Sequence, residues 1–581
     1  MELNSLLEKI RSGISVEPRD LLQYLCLEGR EERCAVNVSL AEAYAGIQNH
    51  EQARVFIQRA WILSDFSPDL MPLYAGIHSA LDDIAPIQAA YKRLGMKKAG
   101  QNDFVKAIQY FNSSMYAHNQ YQKIDRYDYD FDILERIELL ARPYRFRPRL
   151  PAEPSPERKI RVAYLTYLLS NPTSVFHRIN LSLAQFHEKS RFSVAFFVPE
   201  PASAFRDDEI IKLLGNCGCE VVTAPEAGGK AERMIWMAAR IHKYKPDLLV
   251  TNAALANLDS YFITCMRPAS TTIGLVYGPP PQFTAPSLDW CISSAKHPLM
   301  DSPCGGAFAP VEIDLPDPAK IAPCPRRQLD IPDEGFILMS CGRFTKFQDP
   351  GFWKAIFAIL EAYPDLHYVA LGVQEGKISF LEDLVPSGVR SRLRFLKWQK
   401  NYLPVLRLAD LLIDTFPSGG GFVLMDAMAM SIPVVSFENN YMQPFDQTDW
   451  SVGVEFIPVR ELIVERGNFD QFTKVVSRLI DDESYRRQVG TRCREEITRT
   501  RGNPKRMVRR YESIYSSVLK RMAREKSTHA SNGDRSGRGE DFTRRMRRRF
   551  LPRMIKTIPS SYKLLYLGWR FLARAKHFLF R

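Results

Sequence analysis

At 581 residues the chain is too long for one hydrophobic core and suggests about three or four domains, and 45% apolar and 25% charged residues are ordinary for a globular protein. Its ten cysteines are scattered, and the closest pair, Cys217 and Cys219, has no second pair or histidine cluster at metal-ligand spacing, so reduced thiols and no bound metal are expected. The net charge of +13 belongs to one end: residues 521–581 hold 17 Lys or Arg against 4 Asp or Glu, which leaves the remainder balanced and argues against a nucleic-acid-binding core.

The N-terminus, MELNSLLEKIRSGISVEPRD, has neither the basic start nor the apolar run of a secretory signal, and no run of ~18 uncharged apolar residues follows, so a cytoplasmic chain without a spanning helix is expected. Residues 1–140 carry helical periodicity throughout. In LAEAYAGIQNHEQARVFIQRAW, Ala41, Tyr44, Ala53, Ile57 and Ala60 stand where a helix-turn-helix repeat puts its small and aromatic packing residues. YKRLGMKKAGQNDFVKAIQYFNSS does the same with Tyr91, Leu94, Gly95, Ala107 and Phe111. Small residues let two helices approach and large ones fill the groove between neighbours, which is the tetratricopeptide pattern. The two copies stand 54 residues apart, not a multiple of the repeat's ~34, so a degenerate middle copy is expected. An irregular helical bundle is the alternative.

Residues 141–159, ARPYRFRPRLPAEPSPERK, are rich in Pro and Arg, as linkers are. Residues 160–325 then alternate short apolar strands, IRVAYLT, FSVAFFV, DLLVTN and TTIGLVYG, with helical segments such as 180–188 and 231–243, the signature of a parallel sheet covered on both faces. The loop after the first strand, in YLLSNPTSVFHRIN, brings Asn171, Thr173, Ser174 and His177 to the sheet's carboxyl edge. His177, with an unperturbed pKa near ~6.5, is a candidate general base; packing or capping the following helix is its alternative role.

Residues 326–522 repeat the α/β pattern with FILMSCG, HYVALGV, LRFLKW, DLLIDTF and IPVVSF. Two doubly wound, Rossmann-like domains facing one cleft are expected after the all-α region, with ligands at the carboxyl ends of the strands. Three segments leave those ends. In CGRFTKFQDP, Arg343 and Lys346 follow a strand and form a candidate diphosphate clamp, a planar donor fork beside a point charge. In FLKWQKNYLP, Trp398 and Gln399 can meet a nucleobase, with Tyr402 closing over it. In ADLLIDTFPSGGGFVLMDAMAMSIPVVSF, two strands enclose Gly419, Gly420 and Gly421, whose bare backbone can approach a phosphate and aim N–H groups at it. Asp426, about one and a half turns into the following helix, can accept both hydroxyls of a ribose.

At the end, residues 525–541 are polar and Gly/Ser-rich and are expected to be disordered. Beyond RRMRRRF, the segment SSYKLLYLGWRFLARAKHFLFR places Lys563, Arg570, Arg574, His577 and Arg581 on one helical stripe against Leu, Phe, Tyr and Trp. A wide apolar face with a narrow basic stripe describes a helix lying in an anionic membrane surface, which residues 542–581 would supply. Docking on the protein's own body or on a partner is the alternative.

Helical repeats followed by such a two-unit fold resemble the protein O-GlcNAc transferases and their bacterial SPINDLY-type relatives, family 41 glycosyltransferases of the GT-B fold. The likeness runs from about residue 160 to 520. IRVAYLTYLLSNPTSVFHRI is similar to the family's opening strand and H-P-T-S loop. GRFTKFQDPGFWKAIFAIL resembles the segment with its diphosphate-binding lysine, here Lys346. ADLLIDTFPSGGGFVLMDAMAMSIPVV resembles its nucleotide loop, so that Asp426 would take the ribose and the loop from Gly419 through Phe422 to Val423 the diphosphate. Two departures stand out: Asn171 replaces the histidine before Pro-Thr-Ser, and Gly421, Phe422 and Val423 replace polar loop residues. Retaining enzymes of this architecture have a glutamate where Ser418 falls, which points to inversion.

The resemblance implies a glycosyltransferase that moves a hexose or N-acetylhexosamine from a nucleotide sugar, UDP-GlcNAc or UDP-Glc, with no metal or other cofactor. The acceptor it implies is a protein hydroxyl presented along the helical repeats. A glycolipid or cell-surface polysaccharide intermediate is the alternative acceptor, suggested by the tail and a location at the inner face of the membrane. A catalytically inactive scaffold is the third possibility, and Asn171 permits it.

Overall fold

The computed structural model describes residues 2–121, 130–147, 153–166, 175–204, 209–251, 257–277, 287–294, 306–439 and 453–531. The chain divides into two compact units, Met1–Leu140 and Ala141–Arg581. Asn171, Thr173, Ser174 and the basic tail, 542–581, lie outside the described residues.

In the first unit, helices Arg30–Gly46 and His50–Leu63 pack as one hairpin and Ile84–Gly100 and Phe104–Met115 as another. Each turn has its middle residue, Gln48 (φ 61°) or Asn102 (φ 59°), in the left-handed region. Each second helix opens on a side-chain cap, Asn49 accepting from the Gln52 amide and Asp103 from that of Lys106, both at 3.2 Å. Ala41, Ala53, Ile57, Ala60, Ala107 and Phe111 are fully buried. Gly95 has a steric reason: a Cβ there would lie 2.5 Å from the Phe111 ring. Between the hairpins stands a shorter helix, Met71–Ala80.

The second unit contains two parallel sheets. The first holds β1 (Ile160–Leu165), β2 (Phe192–Pro201), β3 (Glu220–Ala224), β4 (Leu248–Thr251), β5 (Thr271–Val276), β6 (Trp290–Ser293) and β7 (Gly306–Phe308) in the order β3-β2-β1-β4-β5-β6-β7. The second holds β8 (Phe336–Cys341), β9 (Leu366–Leu371), β10 (Leu393–Leu396), β11 (Leu411–Ile413), β12 (Val434–Phe437) and β13 (Ile463–Val464) in the order β10-β9-β8-β11-β12-β13. Every pairing is parallel. Because helices cover both faces, β4, β9, β11 and β12 are buried along their whole length instead of alternating. The order reverses between β1 and β4 and between β8 and β11, and such switch points open the crevices where ligands bind.

The last described helix, Pro504–Ser531, follows the second sheet but packs against the first lobe's helix Val175–Phe186. Its backbone remains helical through Ser531, which corrects the expectation of disorder over 525–531, while residues 532–541 lie outside the described residues. Buried polar groups fasten this helix. Glu512 accepts from His187 Nδ1 at 3.0 Å and from the Glu188 amide at 2.7 Å, and Tyr164 donates to His187 Nε2 at 2.7 Å. Burial pushes the His187 imidazole below its ordinary value. Burial alone would raise Glu512, but hydrogen bonds from His187, Glu188 and Arg509 outweigh it and hold the carboxyl low.

A group with a depressed folded pKa stabilises the fold above its unfolded value and loses that contribution as pH falls. His187 begins to cost stability below ~6.5 and Glu512 below ~4.3, so both act in one direction. Equilibrium unfolding in denaturant should therefore show stability declining from pH 7.5 to pH 4. Glu512→Ala should lower it by about 3–5 kcal/mol at pH 7.5 and steepen the decline below pH ~6.5, because Glu512 is the partner that opposes the burial of the His187 imidazole. An unchanged midpoint and slope would show that the network does not fasten the helix.

Candidate active site

The site grows from the two strand ends that flank the second sheet's switch point. β8 ends at Cys341, after which Gly342 and Gly372 bring two chain segments together: a Cβ on Gly372 (φ 94°) would lie 2.7 Å from the Gly342 carbonyl oxygen. Arg343 is exposed and begins a short 3-10 turn, Phe344–Lys346. Lys346 is half-buried and reaches the glycine loop, its Nζ 2.5 Å from the carbonyl oxygen of Gly419.

On the other strand, β11 ends one residue before Asp414, which is buried and organises the loop from within. Its Oδ1 accepts from the amides of Gly420 at 2.6 Å and Thr415 at 2.9 Å, and its Oδ2 accepts from Ser436 Oγ at 2.6 Å. Thr415 Oγ1 donates to the Ser418 carbonyl at 2.7 Å, and Arg466 donates to that of Pro417. Gly453 donates its amide to the Gly420 carbonyl at 2.9 Å, in a contact so close that a Cβ on Gly453 would strike Leu424.

The three glycines therefore have different tasks. Gly419 offers its carbonyl to Lys346, and Gly420 gives its amide to Asp414, which corrects the expectation that all three aim N–H groups outward. Gly421 faces open space, since a Cβ there would have nothing within 4 Å. It opens the helix Phe422–Ala429, whose first amides lack intrahelical partners and carry the positive end of the helix dipole. An anion at Gly421 would face those amides with Lys346 beside it.

Asp426, on this helix, is fully buried. Arg178 Nη1 lies 3.0 Å from Oδ1 and 2.8 Å from Oδ2, and the Tyr402 hydroxyl also donates to Oδ2. Burial first, and then the charge of Asp426, hold the Tyr402 phenol well above its ordinary value, so it stays a neutral donor. Tyr402 thus turns to the carboxylate instead of closing over a base. Burial and the same charge, opposed by Lys346, push the Cys341 thiol up to about 12 and leave it unreactive.

Trp398 is exposed after the edge strand β10, and Gln399 beside it donates to the Lys397 carbonyl at 3.0 Å. His177 is half-buried on the helix Val175–Phe186, one residue before Arg178. The structure thus joins Lys346, Gly419, Gly420, Gly421, Phe422, Asp426 and Tyr402 at one switch point. Arg178 and Asp414 are the members that sequence patterns did not single out. Among the described residues there is no cluster of three or more His, Cys, Asp or Glu able to hold a metal ion, and no helix long and apolar enough to cross a membrane.

Two parallel doubly wound lobes, each with its own switch point, define the GT-B class of glycosyltransferase architecture. In agreement, residues 335–482 match the family described as glycosyl transferases group 1. The lipopolysaccharide core biosynthesis glycosyltransferase LpsE of Rhizobium meliloti is 27% identical over 173 residues, 30% of this chain and 47% of that one, so the chain spans about half the length of this curated relative. A solved O-GlcNAc transferase variant from Thermobaculum terrenum superposes over 90% of this chain and 99% of its own at 15% identity, with a TM-score of 0.57. A glycosyltransferase from Rickettsia africae covers 62% of this chain and 99% of its own at 14% identity, with a TM-score of 0.47. Residues 335–482 are a glycosyltransferase domain, and the fold is that of a two-lobed transferase with an N-terminal helical unit.

Proposed function

We propose that the protein transfers a hexose or N-acetylhexosamine from a UDP-linked donor to a hydroxyl of an acceptor protein, in the manner of family 41 enzymes and without a metal. The observation that carries this is the ammonium of Lys346 on the Gly419 carbonyl, beside the open Gly421 turn. A diphosphate placed there meets a point charge, helix amides and the exposed Arg343, and the ribose reaches toward Asp426. As the bond between the anomeric carbon and the phosphate oxygen breaks, charge grows on the departing diphosphate, and these donors stabilise it more than they stabilise the ground state. Ser418, at the position of the retaining enzymes' glutamate, has no carboxylate to form a covalent intermediate, which supports direct attack with inversion. The helical hairpins are the surface for a protein acceptor.

The LpsE likeness favours a second acceptor class, a lipid-linked or polysaccharide saccharide, and residues 542–581 would bring the enzyme to it at a membrane surface. Incubation of the full chain with labelled UDP-GlcNAc or UDP-Glc and fractionated bacterial extract tests both. Label in protein hydroxyls supports the first, label in glycolipid supports the second, and no label with no release of UDP would overturn transfer itself.

A further inference from the structure

The carboxylate assigned to the donor's ribose is already engaged at both oxygens. Asp426 is fully buried, and Arg178 and Tyr402 engage both its oxygens. Arg178 comes from the other lobe, on the helix Val175–Phe186, 248 residues away in the chain. Its second terminal nitrogen donates to the Asp314 carbonyl at 2.6 Å, in the segment between the two sheets. Its guanidinium stands 5.5 Å from the ring centroid of Phe422, the first residue of the loop's helix. A cation anchored on the first lobe thus caps the acceptor that the second lobe would offer a nucleotide.

We propose that Arg178 is a clasp that the donor must displace: the ribose hydroxyls of a nucleoside diphosphate sugar exchange for the Arg178 guanidinium on Asp426, so that donor binding and release of this contact between lobes are one event. The proposal rests on Asp426 being the ribose ligand. Its physical basis is that a carboxylate has a limited set of acceptor positions, and the guanidinium, the phenol and a vicinal diol cannot all hold them in a site closed to water. Without the donor, Arg178 spares Asp426 the cost of an unpaired buried charge. With it, the diol supplies hydrogen bonds in its place, and the Arg178 side chain, 23% exposed, has a path away. If the clasp is closed in about nine molecules of ten, it lowers apparent donor affinity about tenfold.

Calorimetric titration of the full chain with UDP and with GDP tests this. Arg178→Gln should bind the preferred nucleotide about tenfold more tightly than wild type, and Arg178→Lys, which keeps a charge but loses the planar fork, should tighten it less. The lysine variant carries the test if the glutamine variant does not fold. Equal or weaker binding by the folded variants would overturn the clasp and leave Arg178 a structural or donor-contacting residue. Asp426→Asn separates the two assignments. Loss of nucleotide binding in that variant without tightening in Arg178→Gln sinks the clasp alone. Wild-type affinity in Asp426→Asn, or no nucleotide binding by any form, removes the ribose assignment and the clasp with it.

Discussion

Lys346→Ala is expected to lower kcat/KM for sugar transfer by about 100- to 1,000-fold, with most of the loss in kcat. The ammonium rests 2.5 Å from the Gly419 carbonyl, at the turn where the diphosphate would lie. In the Michaelis complex it shares a charge already spread over two phosphates. In the transition state it meets the extra charge that appears as the anomeric bond breaks, and only that difference accelerates the chemistry. Nucleotide affinity should therefore fall less than kcat. Lys346→Arg should restore part of the rate, because charge returns on a bulkier, planar group. Steady-state kinetics alongside UDP titration separate these terms. Wild-type kcat in the alanine variant would remove Lys346 from the chemistry.

The second large effect is expected at Asp414, which would touch no substrate. Asp414→Ala leaves the amides of Gly420 and Thr415 and the hydroxyl of Ser436 without their acceptor in a buried site. Each orphaned group costs about 1–3 kcal/mol. Allowing for relaxation, the variant should lose about 3–5 kcal/mol of stability, and the glycine turn should lose its shape, with nucleotide affinity falling about 100-fold. Asp414→Asn should cost less, since one carbonyl oxygen still accepts while the amide nitrogen faces another donor. Denaturant unfolding and UDP titration measure the two effects together. An alanine variant with unchanged stability and affinity would mean that the loop keeps its shape without this carboxylate.

How much of this was legible in the sequence depends on the range of the forces involved. β1, β2, β4, β5, β8, β9, β10, β11 and β12 could be read because strands buried on both faces are nearly continuous apolar runs. The glycine turn, Lys346 and Asp426 were legible because strand, turn and helix are contiguous in the chain. β3, β7 and β13 lie at sheet edges and are only partly buried, so they lack that continuous apolar run, and β6 is a four-residue strand ending in a serine. Asp414 looked like the end of a strand, and nothing local says that its carboxylate folds back on an amide six residues later. Arg178 was invisible for a stronger reason: its partner is 248 residues away, and beside His177 an arginine on a helix reads as a solvated charge. The return of the helix Pro504–Ser531 to the first lobe is equally a matter of tertiary packing, carried by Tyr515, Glu512 and their partners Tyr164 and His187.

The turn at Gly421, with Lys346 and Asp426, is expected to hold a nucleoside diphosphate. A crystal structure of the full chain with UDP tests it directly. The expected result is phosphate oxygens within about 3 Å of Lys346 Nζ and the first amides of the helix Phe422–Ala429, with the ribose hydroxyls on Asp426 and Arg178 displaced. A nucleotide bound elsewhere, or bound while Arg178 still holds Asp426, would contradict it.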